Sequence, residues 1–486
     1  MKAREFKQIR ANRPATSQRF LLQAAQDTRL EHSWTRSPVD AETYIKKNYS
    51  VLVARGREQT EQSDHARSYQ RLIKVNVVPA KGFTFSANIR KPGNQNEFDL
   101  EARRAVKEAW KRFSRRGKFE HSGMFSRAQV EKLQTMQLCN TGEFILQKRF
   151  SRRANEFGFN VKILDPILLP VQLEKNLANG GRIIHGIEFD KFGRLAAYHF
   201  SESRTGSYYD LNHKTKRIPA EQIIHVFIPE IVGQKRGLPG NRTALWRLRM
   251  LQGFEDASLV NARIGAASMG FFENKEPDDT HQVDEFPLDI EPGTFQPLPA
   301  GWEFKDYSPK YPNGDFEPFT RGSLRSIAAG LGVSYASMTH DLTDVNYSSI
   351  RQGTLAERDT FTEIQETIIE GLCEPVFEDW LYSALLNQQI FKPNGQPYDF
   401  TEFERFNKPA FKGKRWTWID PTKEIKASIE AIKGKLKSRS EVIRENSDRE
   451  PEEVFAEIGE EISLLGEILP DTTTEPDQTQ EDNTNE

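Results

Sequence analysis

The sequence predicts an α+β fold in which long helices are set against a mostly antiparallel sheet. Between Glu143 and Phe227 the apolar residues fall in short runs separated by turn residues, which is the pattern of strands. Elsewhere a helical period is held for much longer. The clearest case is Phe361, Ile364, Ile368, Leu372, Val376, Trp380 and Ala384, spaced by three or four over more than six turns. Composition adds a third observation. The chain of 486 residues is polar, at 37% hydrophobic and 28% charged, yet its 32 Phe and 7 Trp supply apolar material for real cores and exclude wholesale disorder. That length suggests about three domains, or one large domain with insertions.

Residues 1 to 45 read as a basic arm (Lys2, Arg4, Lys7, Arg10) with no apolar stretch of the kind a secretory signal needs. A helical pattern runs from Asn48 to Val78 and is closed by Pro79. Gly82 to Ala87 alternates as a strand, and Pro92-Gly93-Asn94 is a turn. A charged helix follows from Phe98 to Phe113, its basic face reading as solvated rather than phosphate-binding. Another runs from Ser126 to Asn140, with Gly142 as its stop. The strands are then Phe144–Leu146, Val161–Leu164, Ile183–Ile187, Leu195–Phe200 and Ile223–Phe227, with a hairpin turn at Asp190–Gly193.

After Gly240 a long helix is expected from Thr243 to Phe272, rich in the small residues Gly253, Ala257, Ala262, Gly265 and Ala266. Such residues let neighbouring helices approach closely, and the helix needs packing partners. Residues 273–318 are an acidic, Pro-rich insertion, followed by a second helix from Gly322 to Leu331 and a polar loop from Thr339 to Tyr347. Pro375 should bend or break the longest helix. Residues 387–418 return to turns and aromatics. A Lys/Glu-rich helical region extends from Asp420-Pro421 to Leu465, and an acidic tail closes the chain.

Chemistry is sparse. The sequence has no G-x-x-x-x-G-K-[ST] phosphate loop, no G-x-G-x-x-G after a strand and no H-E-x-x-H, so no catalytic residue, metal site or cofactor is expected. Ala266 to Gly270 falls one glycine short of a nucleophile elbow and sits in a helical pattern. Cys139 and Cys373 cannot build a disulfide framework and fit a reducing cytosol. No stretch is long and apolar enough to span a membrane. A net charge of -2 argues against a tight nucleic-acid binder. An alternative reading stays open: a cytosolic metal-dependent hydrolase or nuclease with a dispersed carboxylate site.

Three blocks are more distinctive. They are Gln234–Pro239 with Leu248-Arg249 and Glu255–Ala257; Arg325–Tyr335 with Leu342–Ser349; and Trp416–Pro421. In order and spacing the chain resembles tailed-phage portal proteins of the lambda type over roughly residues 45 to 465. That resemblance implies a portal fold with a wing (46–240 and 387–418), a stem helix (241–272) and return helix (319–338), a clip (273–318), a channel loop (339–347), a long bent wing helix (348–386) and a crown (419–465), with the tail at 466–486.

It also implies a non-enzymatic ring, usually a dodecamer, at the capsid vertex of the virion, assembled in the host cytoplasm. Double-stranded DNA passes through it during packaging and ejection. Expected partners are the large terminase subunit, head–tail connector or neck proteins, and the major capsid and scaffold proteins, with no membrane. The candidate channel residues are Arg321, Arg325, His340, Asp341, Asp344 and Asn346. Arg321 and Arg325 either form positive rings or pair with Glu255 or Asp256. The candidate docking carboxylates in the clip are Glu273, Glu276, Asp278, Asp279, Asp284, Glu285, Asp289 and Glu291. Ring packing falls to Gly253, Ala257, Ala262, Gly265 and Ala266.

Overall fold

A computed structural model describes residues 37–202, 214–266, 270–274, 302–306, 314, 316–343, 346–416, 421–447 and 451–468. The first helical stretch is two helices, α1 (Ala41–Gln62) and α2 (Asp64–Val77), and it begins seven residues before the sequence pattern suggests. Asp40 caps α1 by accepting from the Thr43 amide at 2.7 Å. Ser63 divides the pair because it does two jobs. Its amide donates to the Gln59 carbonyl at 2.9 Å to end α1, and its hydroxyl accepts from Ala66 to start α2. Strand β1 (Thr84–Ala87) and a small hairpin of β2 (Arg90–Lys91) and β3 (Asn94–Phe98) lead to α3 (Leu100–Phe113), capped by Asp99, and α4 (Arg127–Asn140).

Every strand pairing in the named sheets is antiparallel. A three-stranded sheet has the order β11–β4–β5, from Ile223–Phe227, Glu143–Phe150 and Phe159–Leu164. A five-stranded sheet runs β10–β9–β8–β7–β6. Its strands are Thr215–Pro219, Leu195–Ser201, Ile187–Phe189, Arg182–Ile184 and Lys175–Asn176. The single strand expected over Ile183–Ile187 is therefore a tight hairpin, because His185 and Gly186 both take positive φ, at 52° and 80°. Strand β14 (Pro409–Lys412), in a region read only as turns, pairs with β1 in the register Phe85 opposite Phe411. Its partner lies more than 300 residues away, so local pattern gave no signal for it.

Helix α5 (Leu245–Ala266) is shorter than the run expected to Phe272, at 22 residues or about 33 Å. Gly270 to Asn274 instead form β12, which pairs with β13 (Trp302–Asp306) and closes the base of the insertion that the sequence presents as loop. The next helix, α6 (Phe316–Leu331), starts six residues earlier than expected, and a single turn α7 (Tyr335–Thr339) follows. The longest helix is α8 (Tyr347–Ile368) and α9 (Glu374–Leu386), joined by a π-helical turn over Ile369–Cys373. The expected irregularity at Pro375 is this turn. Proline lacks the amide that would continue the ladder and crowds the preceding turn, and one wider turn absorbs both faults. The turn also sets Gly371 against Val226 of β11. The last helices are α10 (Pro421–Lys433), α11 (Arg439–Asn446) and α12 (Pro451–Ile468).

The main core joins α2, α3, α4, β1, β4, β5 and the α8–α9 helix. Trp110 is its hub, with ring centroids 4.9 Å from Trp380, 5.4 Å from Phe377 and 5.5 Å from Phe85 and Phe113. A second core of Ile145, Leu169, Ile187, Tyr198, Phe200, Ile218 and Ile223 joins the two larger sheets.

Candidate channel and assembly surfaces

The entry to α5 is fixed by a buried ion cluster. Glu143 on β4 and Arg236 are both fully enclosed, and Arg236 Nη2 lies 2.6 Å from Glu143 Oε1. Glu143 Oε1 also accepts from the Tyr49 hydroxyl at 2.6 Å, while Oε2 accepts from the Gly237 amide at 2.7 Å and faces His225 Nε2 at 3.0 Å. The remaining guanidinium donors reach the carbonyls of Leu169 (2.9 Å), Pro166 (3.1 Å) and His185 (3.2 Å). Burial by itself would push the Glu143 carboxyl up, but Arg236 and His225 outweigh it and hold the group well below the carboxylate range. The backbone is equally tight. A Cβ on Gly237 would lie 2.0 Å from the Gly142 carbonyl oxygen, and one on Gly142 would lie 2.1 Å from the Leu238 carbonyl carbon. Arg236 and Gly237 stand in the first distinctive block of the sequence, and this contact gives that block a physical reason. The role of Glu143 was not legible, since a lone Glu at the head of a strand carries no pattern.

From that anchor α5 runs against α6. The Thr243 hydroxyl donates to the Gly330 carbonyl at 2.8 Å, and Phe254 stacks on Phe316 at 5.6 Å and meets Phe319 at 4.9 Å. Between the helices lies an open groove of about 470 Å³, lined by Trp246, Met250, Phe254, Phe319 and Gly322 among others. Large apolar side chains face solvent here, with Trp246 71% and Phe319 56% exposed, and Leu259 and Val260 are uncovered further along α5. Of the residues expected to pack a ring, Gly253 and Ala257 are exposed and Ala262 is half-buried. A Cβ on Gly253 would meet nothing within 4 Å. Gly265 and Ala266 lie in the last turn of α5.

The expected channel residues converge around α7. Arg321 pairs with Glu317 at 2.8 Å and lies 3.6 Å from Asp341; the Arg325 guanidinium sits over the Tyr335 ring at 5.6 Å. Glu255 faces His65 at 3.8 Å. The Tyr335 hydroxyl donates to Asp341 at 2.6 Å, and the Thr343 amide donates to it at 2.9 Å. The Thr343 hydroxyl and the Tyr335 hydroxyl, with Arg321 behind them, hold the Asp341 carboxyl well below its usual range. Asp341 is thus a loop-fixing acceptor. His340 caps α7 in the left-handed conformation at φ 59° and is exposed. Asn346 is exposed, and its carbonyl accepts from Ile350 at 3.1 Å at the start of α8. Glu357, which no sequence pattern marks, accepts from the Ser334 amide at 2.6 Å and the Ser337 hydroxyl at 2.8 Å and so ties α7 to α8.

Asp344 lies outside the described residues, as do Glu276, Asp278, Asp279, Asp284, Glu285, Asp289 and Glu291. Glu273 is on β12, opposite Glu303 in register. Among the described residues no three His, Cys, Asp or Glu side chains gather as metal ligands, and no helix is long and apolar enough to cross a membrane.

The model of the phage portal protein, lambda family, matches residues 27–365. A probable portal protein of Halomonas phage phiHAP-1 is 31% identical over 451 residues, covering 90% of this chain and 85% of the relative. The chain belongs to the lambda family of phage portal proteins. The portal protein of Escherichia phage N15 is 21% identical, over 87% of this chain and 86% of its own. A chain from the neck of an empty gene transfer agent particle, computed with C6 symmetry, aligns over 85% of this portal-family chain and 96% of its own. Its 11% identity and TM-score of 0.40 are too loose to place any residue. The family match ends inside α8, so the C-terminal helices lie beyond it.

Proposed function

We propose that the chain assembles as a closed ring at the capsid vertex of the virion and conducts double-stranded DNA during packaging and ejection. The observation that carries this is the α5–α6 surface. A single chain leaves Trp246, Met250, Leu259, Val260 and Phe319 in water beside the small residues Gly253 and Ala257. A neighbouring copy presenting the same two helices would cover them. In this reading the wing, stem, clip, channel loop and crown take the residue ranges given above, and the family match over residues 27–365 supports the portal reading as a whole. The near-neutral net charge of -2 suits a conduit, because a densely basic lining would hold phosphates and act as a brake.

The acidic 273–318 insertion would dock a basic face on the large terminase subunit during packaging and on connector proteins afterwards. Capsid and scaffold proteins would meet the outer surface during assembly in the host cytoplasm. The chain itself carries no catalysis in this reading, and a separate ATPase drives translocation.

Native mass spectrometry with electron imaging tests the ring. Twelve copies of the 55.8 kDa chain weigh about 670 kDa. A particle of that order with a central hole is expected, and a compact dimer or tetramer without one refutes the proposal. Robust ATP turnover by the isolated chain would refute the non-catalytic part.

A further inference from the structure

The last three helices lack a core of their own. Among the described residues of α10, α11 and α12 no apolar side chain other than Pro451 is buried. Helices of 13, 8 and 18 residues are marginal in water unless an apolar face is packed. Two such faces stand open. On α10, Ile425 and Ile429 stand four residues apart and exposed, and Leu436 in the turn after the helix is 82% exposed. On α12 the stripe is Phe455, Ile458, Ile462 and Leu465, with Ile462 65% exposed.

The charges around the two stripes are opposite. Residues 421–439 carry six Lys and Arg against two Glu, whereas residues 451–468 carry six Glu and no base. Helical geometry sets Lys426 and Lys433 beside the first stripe and Glu461 beside the second. Within the chain both stripes stay exposed. Glu452 at the start of α12 faces Arg103 of α3 at 3.6 Å, while Lys437 beyond α10 pairs with Glu445 of α11 at 2.8 Å.

We propose that α10 of one copy docks its basic-flanked stripe on the acidic-flanked α12 stripe of the next copy, so that the C-terminal helices form a second, head-to-tail belt around the ring. The inference rests on the ring reading above and adds the partner and polarity of one contact. A self-paired contact of α10 with α10, or of α12 with α12, would oppose like charges, so the complementarity selects the heterologous arrangement. A heterologous contact repeated by rotation closes a ring. A second copy also covers both stripes at once, which a foreign partner with one sign of charge would not.

Disulfide trapping in the full-length chain tests this. Ile429→Cys and Ile462→Cys are both at exposed positions, and the native Cys139 and Cys373 are buried. The doubly substituted chain, assembled and mildly oxidised, is expected to give a ladder of covalent oligomers on a non-reducing gel. Each single variant alone is expected to give none, and a mixture of the two singles, differently tagged, a crosslinked pair. Reversing Lys426 and Lys433 to Glu in the doubly substituted chain is expected to slow the ladder severalfold. A crosslinked monomer with no ladder means α10 folds onto α12 of its own chain and overturns the proposal. A particle of ring mass without any crosslink overturns this contact while leaving the ring intact. A wild-type chain that never exceeds monomer mass overturns the ring reading first, and this inference with it.

Discussion

Replacing Arg236 by Met should loosen the joint between the sheets and α5 more than any surface change. The variant removes the partner of a fully buried carboxylate and strips a donor from three enclosed carbonyls, those of Leu169, Pro166 and His185. Breaking a buried pair by removing one member costs about 3–5 kcal/mol. Water reaching the three freed carbonyls offsets most of the about 1–3 kcal/mol that each unmade buried acceptor would add. Protonation limits the loss, because burial pulls the Glu143 carboxyl upward and, without Arg236, only His225 of the two named partners still opposes that pull.

A net cost of about 4 kcal/mol follows, or roughly a thousandfold in the local opening equilibrium. A chain of this size does not unfold in two states, so a single melting temperature is a poor probe. Native-state amide hydrogen exchange at β4 and β11 reads the local opening directly. The double variant Arg236→Met with Glu143→Leu should recover part of the loss, since no uncompensated charge remains. Protection at β4 and β11 within about threefold of wild type in Arg236→Met would refute the reasoning.

Three further outcomes are expected. Gly237→Ala places a Cβ against the Gly142 carbonyl oxygen and should cost about 1–3 kcal/mol through overpacking, seen as faster native-state amide exchange at β4. Gly371→Ala, whose Cβ would fall 2.7 Å from a Val226 methyl, should open the contact between the π-helical turn and β11 and raise exchange there, with little effect at α5. His185 is held below its ordinary 6.5, first by burial and further by Arg236, against the opposing pull of the Val171 carbonyl and Glu174. The unfolded chain therefore binds a proton first as pH falls, so stability is full above about 6.5 and declines below it until the folded imidazole also protonates. Native-state amide protection at β7 and β8, corrected for the intrinsic exchange rate at each pH, should drop across that window in wild type and flatten in His185→Gln.

Much of the fold was legible because helices and caps are written locally. Asp99 and Ser126 stand where helix starts were expected, and Gly142, at φ 86°, ends α4 as its position suggests. The errors have physical causes. The run to Phe272 was read as helix because small and aromatic residues fit either period, and the pairing of β12 with β13 across the insertion decided it. Ile183–Ile187 looked like one strand because a non-glycine residue, His185, takes the positive φ that begins the turn.

Of the candidate channel residues, the sequence marked the stretch that holds Arg321, Arg325 and Asp341. Only the fold shows that Tyr335 gathers them and that Asp341 serves the loop. By itself the sequence determined the family, most of the long helices and the strands of the central region, and the charge asymmetry of the C-terminal helices, all of which reside in composition and short-range period. The tertiary structure decided which groups meet across long separations: Glu143 with Arg236, β1 with β14, Gly371 with Val226. Such contacts depend on how elements converge in space, and a lone Glu or Gly carries no trace of a partner far along the chain.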